Sequence, residues 1–166
     1  MYGPTRNLGL LSWESFDLPL DCISSSSALK HPDSGRIYTA LAREGGGLDV
    51  FFIEEGEAFL NPVDVSFDDE DQPTGDILSF DLLSDGDERV VITFASGAIY
   101  QCSFQTDTFA FQCVGRIQEQ DGGLGEACWS PDSSLLVLVT GGGKRILLSR
   151  DFEPLEEGPV QVDTFG

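Results

Sequence analysis

The sequence predicts an all-β fold: a partial β-propeller of about three blades, each a four-stranded antiparallel sheet, with the ring not closed. Three observations predict it. First, short apolar runs recur between turn signals rich in Gly, Asp, Ser and Pro, which is the punctuation of consecutive hairpins. Second, one four-strand order occurs twice, over Ile77–Gly115 and over Glu126–Glu157. Phe80 and Trp129 hold equivalent places, 49 residues apart, near the ~40–50-residue period of a propeller blade. Third, the stretch from Gly125 to Glu157 reads strand, turn, strand, turn, strand, as one antiparallel sheet should. The expected division is an irregular start over 1–33, a first blade over about 34–70, a second over about 75–117 and a third over about 123–157.

The first 33 residues are irregular in pattern. Leu8, Leu10 and Leu11 could form a short strand with Trp13, Ser24 to Ser27 read as a polar loop, and His31-Pro32-Asp33-Ser34-Gly35 is a turn cluster that leaves His31 exposed. The first blade opens with Arg36–Ala42, in which Ile37, Thr39 and Leu41 share a side. Gly45-Gly46-Gly47 breaks it, and Asp49–Ile53 forms the second arm of the hairpin. The acidic run Asp68-Asp69-Glu70-Asp71, followed by Pro73 and Gly75, reads as a solvated connection held open by like charges. A calcium loop would need oxygen ligands at alternate positions and a glycine at the sixth. Neither this run nor Asp85-Gly86-Asp87 fits.

The second blade is clearer. Ile77–Leu83 leads into Ser84-Asp85-Gly86-Asp87, whose residue types tolerate turn dihedrals. Arg89–Ala95 is β-branched and aromatic, which suits a pleated surface. After Ser96-Gly97, Ala98, Tyr100, Cys102 and Phe104 alternate with Gln101 and Ser103, the pattern of a half-buried strand. Phe109, Phe111 and Cys113 share a face of the fourth strand. Cys102 and Cys113 then lie on neighbouring strands, where two small buried thiols are preferred over a disulfide.

In the third blade, Glu126–Trp129, Leu135–Thr140, Arg145–Leu148 and Phe152–Leu155 give the four strands. Ser130-Pro131-Asp132 and Gly141-Gly142-Gly143 supply the turns. The residues assigned structural work in blade turns and core are therefore Phe80, Asp85, Gly97, Trp129, Pro131, Asp132 and Gly141. The tail from Glu156 to Gly166 is polar and closes no further unit.

Charge and motif content narrow the functions. The chain has 166 residues, 29 acidic against 9 Lys and Arg, and a formal net charge of −20. That balance opposes binding to nucleic-acid phosphates, whose affinity rests on Lys and Arg, and docking on an anionic membrane leaflet. It permits a basic protein partner. The start lacks a charged region followed by a long apolar stretch, so it is a poor signal peptide. Four cysteines (Cys22, Cys102, Cys113 and Cys128) form no CxxC pair and no zinc spacing with the single histidine, and they read as reduced and cytosolic. Gly141-Gly142-Gly143-Lys144 fails the phosphate-loop template, because Leu138 and Arg145 stand where Gly and Ser or Thr are required. There is no GxSxG elbow. Tyr100, Phe109, Phe111 and Trp129 lack the basic groove of a base-stacking platform, so they read as core. No catalysis, cofactor or metal is expected.

The run WSPDSSLLVLVTGGGKRILLSRDFEPLEE (residues 129–157) resembles the amino-terminal WD40-like propeller of the largest Elongator subunit, the IKAP scaffold family. Arg6-Asn7-Leu8, GDILSFDLL (75–83), VVITFASGAIYQC (90–102) and the closing Asp163-Thr164-Phe165-Gly166 agree in order. WSPD alone is common among propellers, but followed by LLVLVTG and DFEP it is far more specific. The resemblance implies a non-catalytic scaffold segment acting in tRNA wobble uridine modification through contacts with other Elongator subunits. It implies no direct nucleic-acid contact, no membrane, and further blades needed for ring closure. The cytoplasm is the expected compartment, with the nucleus as a second. The family's helical dimerisation region and basic RNA-contacting segment have no counterpart in this sequence. The alternative is a generic acidic propeller fragment or β-sandwich that binds a basic protein or peptide.

Overall fold

The computed structural model describes residues 23–57, 59–68, 72–117 and 122–155. The expectations placed on Arg6 to Trp13, Cys22, Asp69 to Asp71 and Glu156 to Gly166 lie outside the described residues. Eleven strands are described: β1 (Ile23–Lys30), β2 (Ile37–Arg43), β3 (Leu48–Ile53), β4 (Asn61–Phe67), β5 (Ile77–Asp85), β6 (Asp87–Phe94), β7 (Ala98–Ser103), β8 (Thr108–Arg116), β9 (Leu124–Trp129), β10 (Leu135–Thr140) and β11 (Arg145–Ser149).

They form three successive sheet units. Blade 1 is β1–β4 and blade 2 is β5–β8, each an antiparallel meander. Blade 3 is β9–β11. Blades 1 and 2 pack face to face, and their outer strands β4 and β8 pair in parallel from Asp64↔Thr108 to Phe67↔Phe111. The result is one eight-stranded sheet in the order β1-β2-β3-β4-β8-β7-β6-β5. Its two free edges, β1 and β5, approach each other, and there the Ile77 amide donates to Ser25 Oγ at 2.8 Å. A serine hydroxyl thus satisfies a strand amide where no ladder forms.

Strand alternation explains how blade 2 serves two neighbours, since successive side chains point to opposite faces. Phe80, Val90, Ile92, Phe94, Ala98, Tyr100, Cys102, Phe109 and Phe111 face blade 1, where they meet Tyr38, Ala40, Ala42, Val50, Phe52 and Val63. Leu83, Val91 and Ile99 point the other way, onto Leu124, Leu136, Leu138 and Leu148 of blade 3.

Three expectations are corrected. The Ser24–Ser27 loop is part of β1, so the first blade begins at Ile23 rather than near residue 34. Ser25 and Ser27 alternate with Ser24 and Ser26 on an edge strand, where hydroxyls bond to backbone, Ser24 Oγ donating to the Ala42 carbonyl, and no apolar pattern develops. A further strand, β4, precedes the acidic run. Its Pro62 hides it from propensity, yet Val63, Val65 and Phe67 reach the core. Conversely, Phe152–Leu155 is no full strand: it makes a single bridge, Leu148↔Pro154. Pro154 has no amide proton to donate, and Phe152 sits at φ 63, which ends extended backbone. Among the described residues the third unit therefore has three strands.

Candidate functional site

The seven residues assigned to blade turns and core are spread along blades 2 and 3 and do not converge on one pocket. Phe80 and Trp129 do not hold equivalent places: counted from the pairs Ile77↔Phe94 and Leu124↔Thr140 that close the two hairpins, Phe80 (opposite Ile92) matches Ala127 (opposite Leu138), and Trp129 (opposite Leu136) matches Leu82 (opposite Val90). Each lies on the first strand of its unit, and each packs toward the preceding unit, Phe80 against blade 1 and Trp129 against blade 2. Phe80 is buried, whereas Trp129 is half-buried. Trp129 meets Phe152 edge-on at 5.9 Å, and its indole Nε1 has no hydrogen-bond partner among the described residues. Tyr100, Phe109 and Phe111 are core, as expected.

Asp85 closes β5, and Gly86 alone (φ 116) turns the chain into β6. Gly97 has φ 101, and a Cβ there would lie 2.5 Å from the Ile117 carbonyl oxygen. Only glycine fits, because the Ile117 amide donates back to the Gly97 carbonyl. Gly141 opens the β10–β11 turn, which Gly143 closes through its amide to the Thr140 carbonyl. A Cβ on Gly141 would collide with the Gly122 backbone. The glycine run is a hairpin turn, with no helix start to cradle phosphate.

Pro131 and Asp132 form the exposed turn between β9 and β10. One Asp132 oxygen accepts from Ser130 Oγ at 2.6 Å, Ser134 Oγ at 2.7 Å and the Ser134 amide at 3.1 Å. These donors hold its pKa down at about 2, because they stabilise the charged form. Ser130 Oγ also accepts from the Leu135 amide at 3.0 Å. The Ser-Pro-Asp-Ser-Ser run is thus a self-satisfied turn that launches β10.

Cys102, Cys113 and Cys128 are free thiols. Cys102 pairs in register with Val90, and Cys113 with Tyr100, so the two cysteines are not opposite one another. Burial pushes the Cys102 thiol up to about 12, leaving it protonated at neutral pH.

His31 is the residue that sequence reasoning misplaced. It is 6 % exposed rather than a surface turn residue. Its ring stacks on Phe104 at 4.5 Å, and Nε2 lies 3.1 Å from both oxygens of Glu88. The β1–β2 turn of blade 1 is thereby tied to the start of β6 in blade 2. The partners are 57 residues apart in sequence, so no local pattern signals the pair.

Among the described residues, His31, Asp33 and Glu88 also form one group of potential metal ligands, with ligand atoms within 4.8 Å of one another. The imidazole chemistry favours a clamp instead. The Ser34 amide, which can only donate, points at His31 Nδ1 from 3.2 Å. Nδ1 therefore accepts, and the proton of the neutral ring sits on Nε2, directed at Glu88. A metal at Nε2 would require the opposite tautomer and would set an Nδ1 proton against the Ser34 amide.

The remaining candidate is a surface. Leu136, Leu138 and Thr140 of β10 point at blade 2, whereas Leu135, Val137 and Val139 point away and are half-buried. Leu147 of β11 and Cys128 of β9 flank Val137 on that outer face. The face thus has an apolar centre, with Glu126, Arg145 and Ser149 in register beside Val139 and Leu135 at its margins.

Successive antiparallel meanders stacked face to face define the chain as a β-propeller segment. The sequence matches the family described as "ELP1 first N-terminal beta-propeller" over residues 6–166, and the chain belongs to that family. It is 37 % identical over 79 residues to Elongator complex protein 1 of Oryctolagus cuniculus, a stretch covering 48 % of this chain and 6 % of that protein. The proteins of the same name from Rattus norvegicus and Mus musculus are each 35 % identical over 79 residues, with the same coverage. The match thus spans a small fraction of these relatives' length.

Proposed function

We propose that this chain is a non-catalytic scaffold segment of the Elongator complex, acting in tRNA wobble uridine modification through protein–protein contacts. The observation that carries this reading is the outer face of blade 3. Leu135, Val137, Val139 and Leu147 form the apolar part of a sheet surface that, on the pattern of the rest of the molecule, accepts another sheet. Further propeller blades, in a longer chain or from a partner, supply that cover and complete a ring. Membership of the ELP1 propeller family directs the assembly to Elongator. The charge of −20 argues that the segment contacts protein rather than tRNA phosphates. No described helix is long and apolar enough to cross a membrane. The cytoplasm, with the nucleus as a second compartment, is the working location.

Affinity purification of the tagged chain from cells tests the proposal. Recovery of the other Elongator subunits, reduced by Val137→Asp, is the expected result. Recovery of unrelated basic proteins alone, released by salt, would overturn it in favour of the second reading: an acidic propeller segment that binds a basic protein or peptide. The net charge favours that alternative.

A further inference from the structure

A groove of about 270 Å³ lies on the outer half of blade 2, lined by Arg89, Gln101, Cys102, Ser103, Gln105, Thr108, Ala110 and Gln112. Arg89, Gln101 and Gln112 are on the face that looks toward blade 3: Val91 and Ile99 of that face meet blade 3, and alternation along β6 and β7 puts Arg89 and Gln101 beside them. Gln112 is in register with Gln101. The face is apolar where blade 3 covers it and rich in side-chain donors in the groove. No carboxylate lines the groove, in a chain with 29 acidic residues.

The guanidinium of Arg89 is held in place at one end. Its Nη1 donates to Gln101 Oε1 at 3.2 Å. The Nε and Nη2 protons form the other edge of the fork, whose spacing matches the two oxygens of a carboxylate. The chain uses that same edge elsewhere. Arg43 places Nε and Nη2 on the two oxygens of Asp49, and Arg36 places Nε and Nη2 on Glu54. No described carboxylate engages Arg89.

We propose that this groove docks a carboxylate side chain of an extended peptide segment, with Arg89 Nε and Nη2 taking its two oxygens. Gln101 fixes the guanidinium, and Gln105, Gln112, Ser103 and Thr108 offer hydrogen bonds to the flanking peptide backbone. The net negative charge of the protein does not forbid this. Charges farther than the Debye length of about 8 Å are largely screened at physiological salt, while the fork acts at contact. The site is independent of membership in any complex.

The test is a titration of the whole 166-residue chain, ¹⁵N-labelled, followed at the Arg89 Nε–H resonance. The probe is a capped Ser-Glu-Ser peptide, compared with capped Ser-Gln-Ser and with acetate. The Glu peptide is expected to shift the resonance and to bind about tenfold more tightly than the Gln peptide, the scale of one charge-assisted hydrogen-bonding pair. Arg89→Gln should remove binding, and Arg89→Lys should not restore it, since an ammonium lacks the fork. Gln112→Glu, an exposed position, should place a carboxylate in the groove and block the probe in a folded protein. Equal binding of the Glu and Gln peptides, an acetate response equal to that of the peptide, or full binding in the Gln112→Glu protein would each overturn the proposal.

Discussion

Blade 2 has two faces, and they are finished to different standards. The face toward blade 1 belongs to a cluster of eighteen buried residues with many rings, in which Tyr38 packs on Phe52, Phe104 and Phe109 at 5.4–5.5 Å. Its polar atoms are satisfied: the Tyr38 hydroxyl donates to the Thr106 carbonyl at 2.9 Å, and the Tyr100 hydroxyl accepts from Arg116 at 3.3 Å. The face toward blade 3 gathers seven buried residues, all aliphatic. It leaves the buried Thr93 Oγ1 and Trp129 Nε1 without partners among the described residues. A buried orphan of this kind costs about 1–3 kcal/mol. The first interface is also stitched by β4–β8 backbone pairing, which among the described residues has no counterpart between blades 2 and 3. The contrast teaches that blades 1 and 2 form a near-barrel able to hold itself together, with blade 3 laid onto it.

The largest effect should come from breaking the aromatic face. Phe109 is fully buried and touches Tyr38, Phe104 and Phe111. Phe109→Ala is expected to cost about 3–5 kcal/mol, measured as a lower urea midpoint, with both blades melting together. Separate transitions for the two blades would break the near-barrel description. Leu138→Ala, on the other side, should cost about 2–5 kcal/mol but act locally. Hydrogen exchange is expected to quicken over β9–β11 while β2, β3, β6 and β7 stay protected. Loss of protection throughout would show that blade 3 is integral to the unit.

How much of this was legible in the sequence follows the same divide. Blade 2 could be read strand by strand, because Ala98, Tyr100 and Cys102 alternate cleanly with polar neighbours and Gly86 and Gly97 mark its turns. The matching of Phe80 with Trp129 was not readable from spacing, because one residue separates β5 from β6 while Ser130 to Ser134 separate β9 from β10, and the registers match Phe80 with Ala127 instead. β1 was not, because an edge strand of serines carries no hydrophobic period. β4 was not, because Pro62 and the acids around it imitate a loop. The His31–Glu88 clamp, the β4–β8 pairing and the Arg89 groove depend on which blade faces which, and that is set by tertiary packing. Phe152–Leu155 shows the opposite error. The repeat demanded a fourth strand, and Phe152 and Pro154 in the backbone prevented a full one.

A smaller effect is expected at the seam between blades 2 and 3. Gly97→Ala would place a methyl group 2.5 Å from the Ile117 carbonyl oxygen at φ 101, at a cost of about 1–3 kcal/mol, read as a lower Tm. The hairpin lies next to the chain's passage into β9, where the Leu124 amide donates to the Ala95 carbonyl. Blade 3 should therefore loosen before the aromatic face does. Equal loosening of both would argue that the turn belongs to the near-barrel.

The smallest expected effect is a pH dependence of stability that separates a partly buried acid from a turn acid. Asp81 lies opposite Val91 in the β5–β6 register, on the less finished face, and burial raises its pKa above 3.8. The folded state then holds this proton more tightly than the unfolded chain does. The contribution of Asp81 is fully present below pH 3.8 and declines as pH rises through the folded value. Asp132 has the reverse sign. Its pKa falls from 3.8 to about 2, so its contribution is fully present above pH 3.8 and is lost as pH falls toward 2. Asp81→Asn should therefore raise stability at neutral pH and remove a downward slope. Asp132→Asn should lower it and flatten the acid limb. Urea unfolding at a series of pH values from 2 to 7 reads both. If Asp81→Asn proved destabilising at pH 7, the Ser79 hydrogen bond that opposes the effect of burial on Asp81 would outweigh that burial, and the face would be better finished than its orphaned Thr93 and Trp129 indicate.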